Sequence, residues 1–148
     1  MKAQSERPLR VLVADDHPTN RAVIEIILDL VSAAAVSVEN GQQALMAFKT
    51  EEFDVVLMDL QMPVMDGLTA IREIRKHEIA TDRRRTPVLA VTANALSEHV
   101  AASKEAGADR HIAKPVTPEL LLAAISAELE RARAVVDEVR AKVRKTGS

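Results

Sequence analysis

Side chains able to do chemistry sit at the ends of four apolar runs. Asp15-Asp16 closes Leu9–Ala14, and Asp59 closes the run Val55-Val56-Leu57-Met58. Thr92 closes Thr86–Val91, and Lys114 follows Arg110–Ala113. Three carboxylates drawn together repel one another unless a proton or a cation intervenes. Their oxygens are hard ligands, and two or three of them with a backbone carbonyl suit Mg²⁺. Mg²⁺ keeps waters and favours phosphate oxygens, so the third party would be a phosphoryl group. A threonine hydroxyl and a lysine ammonium are suited to hold phosphoryl oxygens. The set therefore reads as a phosphoryl-transfer centre. Asp59, alone at its strand end, is the candidate nucleophile; Asp15 and Asp16 act as a pair to hold metal.

Each part has a plain reading by itself. A strand-end Asp often caps a helix, Asp15-Asp16 could cap the helix after it, and Lys114-Pro115 only says that a strand stops. The signal is their joint occurrence, and it depends on elements that bring the four ends together. Those elements are legible as five short apolar runs alternating with helical patterns. The strands are expected at Leu9–Ala14, Ala34–Val38, Asp54–Met58, Thr86–Val91 and Arg110–Ala113.

The first helix opens at Pro18 with Val23, Ile27, Leu30 and Val31 at helical spacing and Ile24 beside them. Asn40 caps the second, Gly41–Thr50, which buries Ala44, Leu45 and Phe48. Asp66 caps a third running to Lys76, with Leu68, Ile71 and Ile74 inward. Ser97 caps a fourth that Gly107 ends. Thr117 and Pro118 start the fifth. Continuous apolar strands alternating with helices make an α/β fold: a doubly wound, flavodoxin-like (βα)5 parallel sheet. The common five-stranded order 2-1-3-4-5 puts strands one and three side by side, and with them Asp15, Asp16 and Asp59.

Composition narrows the function. Aromatic residues are 1% of the 148, so stacking platforms for single-stranded nucleic acid are missing. A net charge of −2 argues against a general nucleic-acid or membrane binder, and Arg83-Arg84-Arg85 reads as a solvated loop. With no Cys, thiol catalysis and thiolate metal sites are excluded. No apolar run is long enough to span a bilayer. Met1–Pro8 is polar, without the apolar centre of a signal peptide, and reads as a disordered lead-in. A cytoplasmic location is expected.

At these residues the sequence resembles the CheY-like receiver domains of two-component response regulators. The resemblance rests on Asp15-Asp16, Met58-Asp59-Leu60-Gln61-Met62-Pro63-Val64-Met65-Asp66-Gly67, Val91-Thr92-Ala93-Asn94-Ala95, Ala106-Gly107-Ala108-Asp109 and Lys114-Pro115, and it covers residues 9–130. It implies that Asp59 accepts a phosphoryl group from a phosphohistidine on a sensor histidine kinase or a histidine phosphotransfer protein. It implies Mg²⁺ held by Asp16, Asp59 and the backbone carbonyl of Gln61, with Asp15 acting through a bound water. Thr92 and Lys114 would hold the phosphoryl oxygens. Thr92 would then move toward the new charge, and the face of helix four, strand five and helix five would rearrange for partner binding. The family's aromatic switch position is His111 here. Thr92-Ala93-Asn94-Ala95 is similar to receivers attached to hybrid kinases. The resemblance implies no turnover on an external substrate, only assistance to the domain's own phosphorylation and dephosphorylation.

Other readings remain at this point. A scaffold without phosphorylation would keep the fold alone. A Mg²⁺-dependent phosphatase of the haloacid-dehalogenase type wants an acid two residues after its nucleophile, where this chain has Gln61. A flavodoxin-like mononucleotide binder wants a loop of backbone N–H donors after strand one, where this chain has Asp15-Asp16-His17-Pro18.

Beyond residue 130 the pattern stays helical. Leu122, Ile125, Leu129, Ala132, Val136, Val139 and Val143 alternate spacings of three and four, a heptad seam. The spacing predicts a fifth helix extended to about Arg144, with its stripe against a second copy or a neighbouring domain, and a disordered Lys145–Ser148.

Overall fold

Five short strands are β1 (Arg10–Ala14), β2 (Ala34–Val38), β3 (Val55–Asp59), β4 (Val88–Thr92) and β5 (Arg110–Ala113). The helices are α1 (Pro18–Asp29), α2 (Gly41–Thr50), α3 (Gly67–Ala80), α4 (Ser97–Ala106) and α5 (Pro118–Thr146). This computed structural model describes residues 7–93 and 96–146. Residues 1–6 of the expected lead-in Met1–Pro8, the motif residues Asn94 and Ala95, and residues 147–148 lie outside the described residues, whereas Lys145 and Thr146, expected to be disordered, continue the last helix. The strands form one parallel sheet in the order β2-β1-β3-β4-β5.

Strand composition follows from position in the sheet. Every residue of β3 and β4 is buried, since helices cover both faces of a central parallel strand. β2, at the edge, is Ala-Ala-Val-Ser-Val and partly exposed. Alternation within the strands sorts the core into two layers. Val11, Val13, Leu57, Leu89, Val91 and Ile112 pack with Ile24, Ile27 and Leu28 of α1 and with Leu121 and Ile125 of α5. Leu12, Val56, Met58 and Ala90 pack with Phe48 of α2 and with Ile71 and Ile74 of α3. Each fully buried large side chain contributes roughly 1.5–3 kcal/mol relative to exposure.

Local signals set most boundaries. Asn40 accepts a 2.8 Å hydrogen bond from the Gln43 N–H, and Asp66 accepts one of 2.8 Å from Thr69. Thr117 Oγ1 accepts from Leu120 N–H at 3.3 Å, with Pro118 at the first helical position. Gly107 closes α4 with φ of +120°, a conformation that costs glycine least.

Four expectations are corrected. In α1 the core face is Ile24, Ile27 and Leu28, whereas Val23, Leu30 and Val31 are exposed. The helix carries two apolar stripes, and spacing alone does not say which one meets the sheet. α3 runs to Ala80, past Lys76, because nothing in His77-Glu78-Ile79-Ala80 opposes a helix and Glu78 is drawn into the interior. The residue before α4 is Leu96, with no side-chain cap; Ser97 is already helical. Arg83-Arg84-Arg85 is not simply solvated. Arg83 lies 4.3 Å from the Phe48 ring centre and donates to the Phe48 and Glu51 carbonyls at the end of α2. Arg85 donates to Asp109, and Arg84 alone of the three has no described partner.

The α1–β2 turn lacks glycine, and Ser32 takes the left-handed conformation instead, with φ of +58°. Ala33 N–H bonds Leu28 C=O and Ser32 N–H bonds Asp29 C=O, both at 3.1 Å, which is the Schellman pattern. Along α5 the buried face is Leu121, Ala124, Ile125 and Glu128, with Leu122 and Leu129 partly buried against the same layer. The first part of the heptad seam therefore packs on the domain's own sheet. No helix among the described residues is long and apolar enough to cross a membrane.

Candidate functional site

The register places the chemistry at one end of the sheet. Ala14 pairs with Met58, Asp59 with Val91, and Thr92 with Ala113, so Asp15, Asp59, Thr92 and Lys114 stand at neighbouring carboxyl ends. Lys114 is tied there by its own N–H, which donates to the Thr92 carbonyl at 2.8 Å. The Lys114–Pro115 peptide is cis. Gly67 lets α3 start against this end. A Cβ on it would meet the Asp59 carbonyl oxygen at 2.2 Å and the Leu60 Cα at 2.7 Å, distances no side chain tolerates.

Lys114 is the hinge of the electrostatics. Its ammonium lies 3.2 Å from Asp59 Oδ2 and 3.2 Å from Asp15 Oδ2. The contact to Asp59 is a hydrogen bond. The contact to Asp15 is out of line, and Asp15 Oδ2 has no hydrogen-bond partner although the residue is 1% exposed. Asp59 Oδ1 accepts from the Gln61 N–H at 3.1 Å, and Asp15 Oδ1 from the His17 N–H at 2.9 Å. Arg21 donates to the Asp15 backbone carbonyl at 2.6 Å.

Burial pushes the Asp59 carboxyl above its ordinary range. The Gln61 N–H and the Lys114 charge oppose that shift without cancelling it, and Asp15 adds to it. Burial alone would lower the Lys114 ammonium, but Asp59 and Asp15 outweigh it and hold its pKa above the usual value.

The arrangement is short of positive charge. Asp15, Asp16 and His17 bring ligating atoms within 4.8 Å of one another. Asp15 Oδ2 and Asp16 Oδ1 are both buried oxygens without hydrogen-bond partners. Hard oxygens with unmet demand beside a third carboxylate fit Mg²⁺, which would supply positive charge to phosphoryl oxygens. Asp59 connects to this group through Lys114.

The family model described as "Response regulator receiver domain" matches residues 11–126. The chain belongs to this family. Over 117 residues this receiver is 38% identical to the sensor histidine kinase GacS of Pseudomonas protegens, covering 79% of this chain and 13% of that protein. It thus spans about an eighth of the length of that curated relative. Among solved structures it is similar to the receiver domain of the sensor histidine kinase PA1611 from Pseudomonas aeruginosa, which has a magnesium ion coordinated in the active-site cleft. That match has a TM-score of 0.76 and 33% identity, over 84% of this chain and 99% of the other. It is also similar to a chain in the co-crystal of the Saccharomyces cerevisiae histidine phosphotransfer protein Ypd1 with the receiver domain of Ssk1. There the TM-score is 0.77 and the identity 25%, over 80% of this chain and 87% of the other. The receiver's place is therefore in phosphorelay two-component signalling.

The other residues singled out in the sequence fall in two places. Asp16 is on the rim, partly exposed, with His17 Nδ1 3.0 Å from its Oδ1. Gln61 turns its N–H to Asp59 while its side chain is exposed. Thr92 is buried at the end of β4. His111 lies deeper in β5, half-buried and in register with Ala90, so it belongs to the α2–α3–α4 side of the sheet and not to the carboxylate cluster. His17 and Arg21 were missed. His17 was visible as a potential ligand next to two acids, but Arg21 acts on a backbone oxygen, which no side-chain pattern reveals.

Proposed function

We propose that Asp59 is the phosphoacceptor of this receiver. The carrying observation is Lys114 Nζ, 3.2 Å from both Asp59 Oδ2 and Asp15 Oδ2, beside an Asp15 oxygen with no aligned donor. An Asp59 oxygen attacks the phosphorus of a phosphoimidazole. The P–O bond forms as the P–N bond breaks, and the leaving imidazole takes its proton from solvent. Lys114 pairs with the acyl phosphate as it forms, and the Thr92 hydroxyl holds another phosphoryl oxygen. Asp15, Asp16, Asp59 and the Gln61 carbonyl would hold Mg²⁺, which would supply positive charge to the phosphoryl oxygens. The domain acts as a phosphoacceptor, assisting only its own phosphorylation and dephosphorylation.

The donor is a phosphohistidine on a sensor histidine kinase or a histidine phosphotransfer protein. The surface beside the site supports a protein donor. Val23, Ile26 and Leu30 form an exposed apolar stripe on α1, and a cavity of about 120 Å³ lined by Asn20, Val23, Ile24 and Val116 adjoins Asp15 and Lys114. The Ypd1–Ssk1 co-crystal shows that a similar receiver meets such a partner.

Phosphorylation then shifts the population of α4, β5 and α5 toward a packing in which Thr92 reaches the phosphoryl group and His111 turns inward. α4 is suited to move: it gives the core only Ser103 and Ala106 among its described buried residues, where α1 gives Ile24, Ile27 and Leu28.

Incubation with acetyl phosphate and Mg²⁺ should add one phosphoryl mass to the intact protein, lost on removal of Mg²⁺ and in Asp59→Asn. A folded wild-type protein that binds Mg²⁺ and gains no phosphoryl group at any time overturns the assignment.

A further inference from the structure

His17 does not cap α1 with its side chain. It precedes α1 with extended backbone, φ of −98° and ψ of 119°, and its side chain makes no capping hydrogen bond. The imidazole turns back on the acids instead. Nδ1 lies 3.0 Å from Asp16 Oδ1 and 3.8 Å from Asp15 Oδ1. The Asp16 oxygen nevertheless has no hydrogen-bond partner, so the ring is close to it without being bonded to it. Neighbouring ligands of one ion with bonds of about 2.1 Å stand about 3 Å apart, and opposite ones about 4.2 Å. The three ligating atoms lie within 4.8 Å of one another, and His17 Nδ1 and Asp16 Oδ1, 3.0 Å apart, have the spacing of neighbouring ligands.

A second observation points independently to a bound cation. Asp15 is 1% exposed, and its Oδ2 is aimed into the site without a hydrogen-bond partner. Lys114 is the only ammonium described near it, and it is shared with Asp59.

We propose that His17 is an additional side-chain ligand of the ion assigned above to Asp15, Asp16 and Asp59, and that it makes this centre select borderline divalent cations such as Co²⁺ or Ni²⁺ over Mg²⁺ more strongly than its carboxylates alone would. The inference rests on the metal-holding role given above to Asp15 and Asp16. Its chemistry is ligand softness: carboxylate and carbonyl oxygens suit Mg²⁺, whereas imidazole nitrogen suits Co²⁺, Ni²⁺ and Zn²⁺ and gains little from Mg²⁺. His17 is open to solvent, with its side chain 67% exposed, so the ring can turn fully onto an ion without repacking the core.

The test is calorimetric titration of the intact protein and of His17→Ala with Mg²⁺ and, separately, Co²⁺. The absorption spectrum and hyperfine-shifted imidazole proton resonances of the Co²⁺ complex are recorded beside it. Losing the nitrogen ligand should weaken Co²⁺ by about tenfold or more, change Mg²⁺ by less than about twofold, and remove one shifted imidazole resonance. Equal affinities for Co²⁺ in the two proteins, or no shifted imidazole signal in the wild type, overturns the proposal while leaving the Mg²⁺ site intact. Parallel loss of both ions in His17→Ala also overturns it, since His17 would then only orient Asp16. Failure of the wild type to bind either ion overturns both this inference and the metal role of Asp15 and Asp16.

Discussion

The two ends of the sheet treat charge in opposite ways. At the carboxyl end, Asp15 and Asp59 share one ammonium, and two buried oxygens, of Asp15 and Asp16, lack hydrogen-bond partners. At the amino end of β4 and β5, Arg75 donates to Glu78 at 2.9 Å, to Asp109 at 2.8 Å, and to the Thr86 and Gly107 carbonyls at 2.8 and 3.0 Å. Glu78 and Asp109 accept in turn from the Thr86 and Val88 N–H groups, and Arg85 completes Asp109. Every carboxylate there has its donors. One end is a closed network that joins α3 to the β4–β5 end, and the other leaves two buried carboxylate oxygens without donors. A charge is structural where its bonding is complete and functional where it is not.

The comparison breaks most sharply at Arg75. Arg75→Met leaves the buried Glu78 without its cation and takes one of the two arginines from Asp109, and urea unfolding should show a loss of about 3–5 kcal/mol. A loss below 1 kcal/mol would mean that the network is not what holds that end. At the open end, Lys114→Met leaves Asp59 and Asp15 facing each other and should cost roughly 1–3 kcal/mol without divalent cation. Mg²⁺ should restore more stability to this variant than it adds to the wild type, because it replaces the missing positive charge.

Asp59→Asn has a smaller effect of opposite sign. The folded-state pKa of Asp59 lies above its ordinary 3.8, so its favourable contribution is complete below that pH and is lost as pH rises through the folded value. In Mg²⁺-free buffer at neutral pH, Asp59→Asn should therefore unfold at a higher temperature than the wild type, and the gap should close in acid below pH 3.8. The smallest change lies outside both ends: Ser32→Gly relieves a left-handed serine and should add about 0.5–1 kcal/mol in the same urea assay.

Much of the fold was legible because its signals are local. β2, α2 and β5 have the bounds that apolar runs and caps such as Asn40 predict. The site was legible as a set because Asp15, Asp59, Thr92 and Lys114 each end a strand, and a parallel sheet carries its carboxyl ends to one edge. The Arg75–Glu78–Asp109–Arg85 network was not, because its members span 34 residues and look like ordinary surface charges until β4 and β5 pair. The inward face of α1 was not either, since Val23 and Ile24 are equally apolar and only the sheet beneath chooses between them.

The sequence by itself determined the element types, the parallel sheet and the residues that could handle a phosphoryl group, because these follow from short-range periodicity and from side-chain chemistry. Only the tertiary structure decided which charges are complete and which are left wanting. That depends on distances such as Lys114 to two carboxylates at 3.2 Å and His17 to Asp16 at 3.0 Å, which packing sets and no spacing along the chain records.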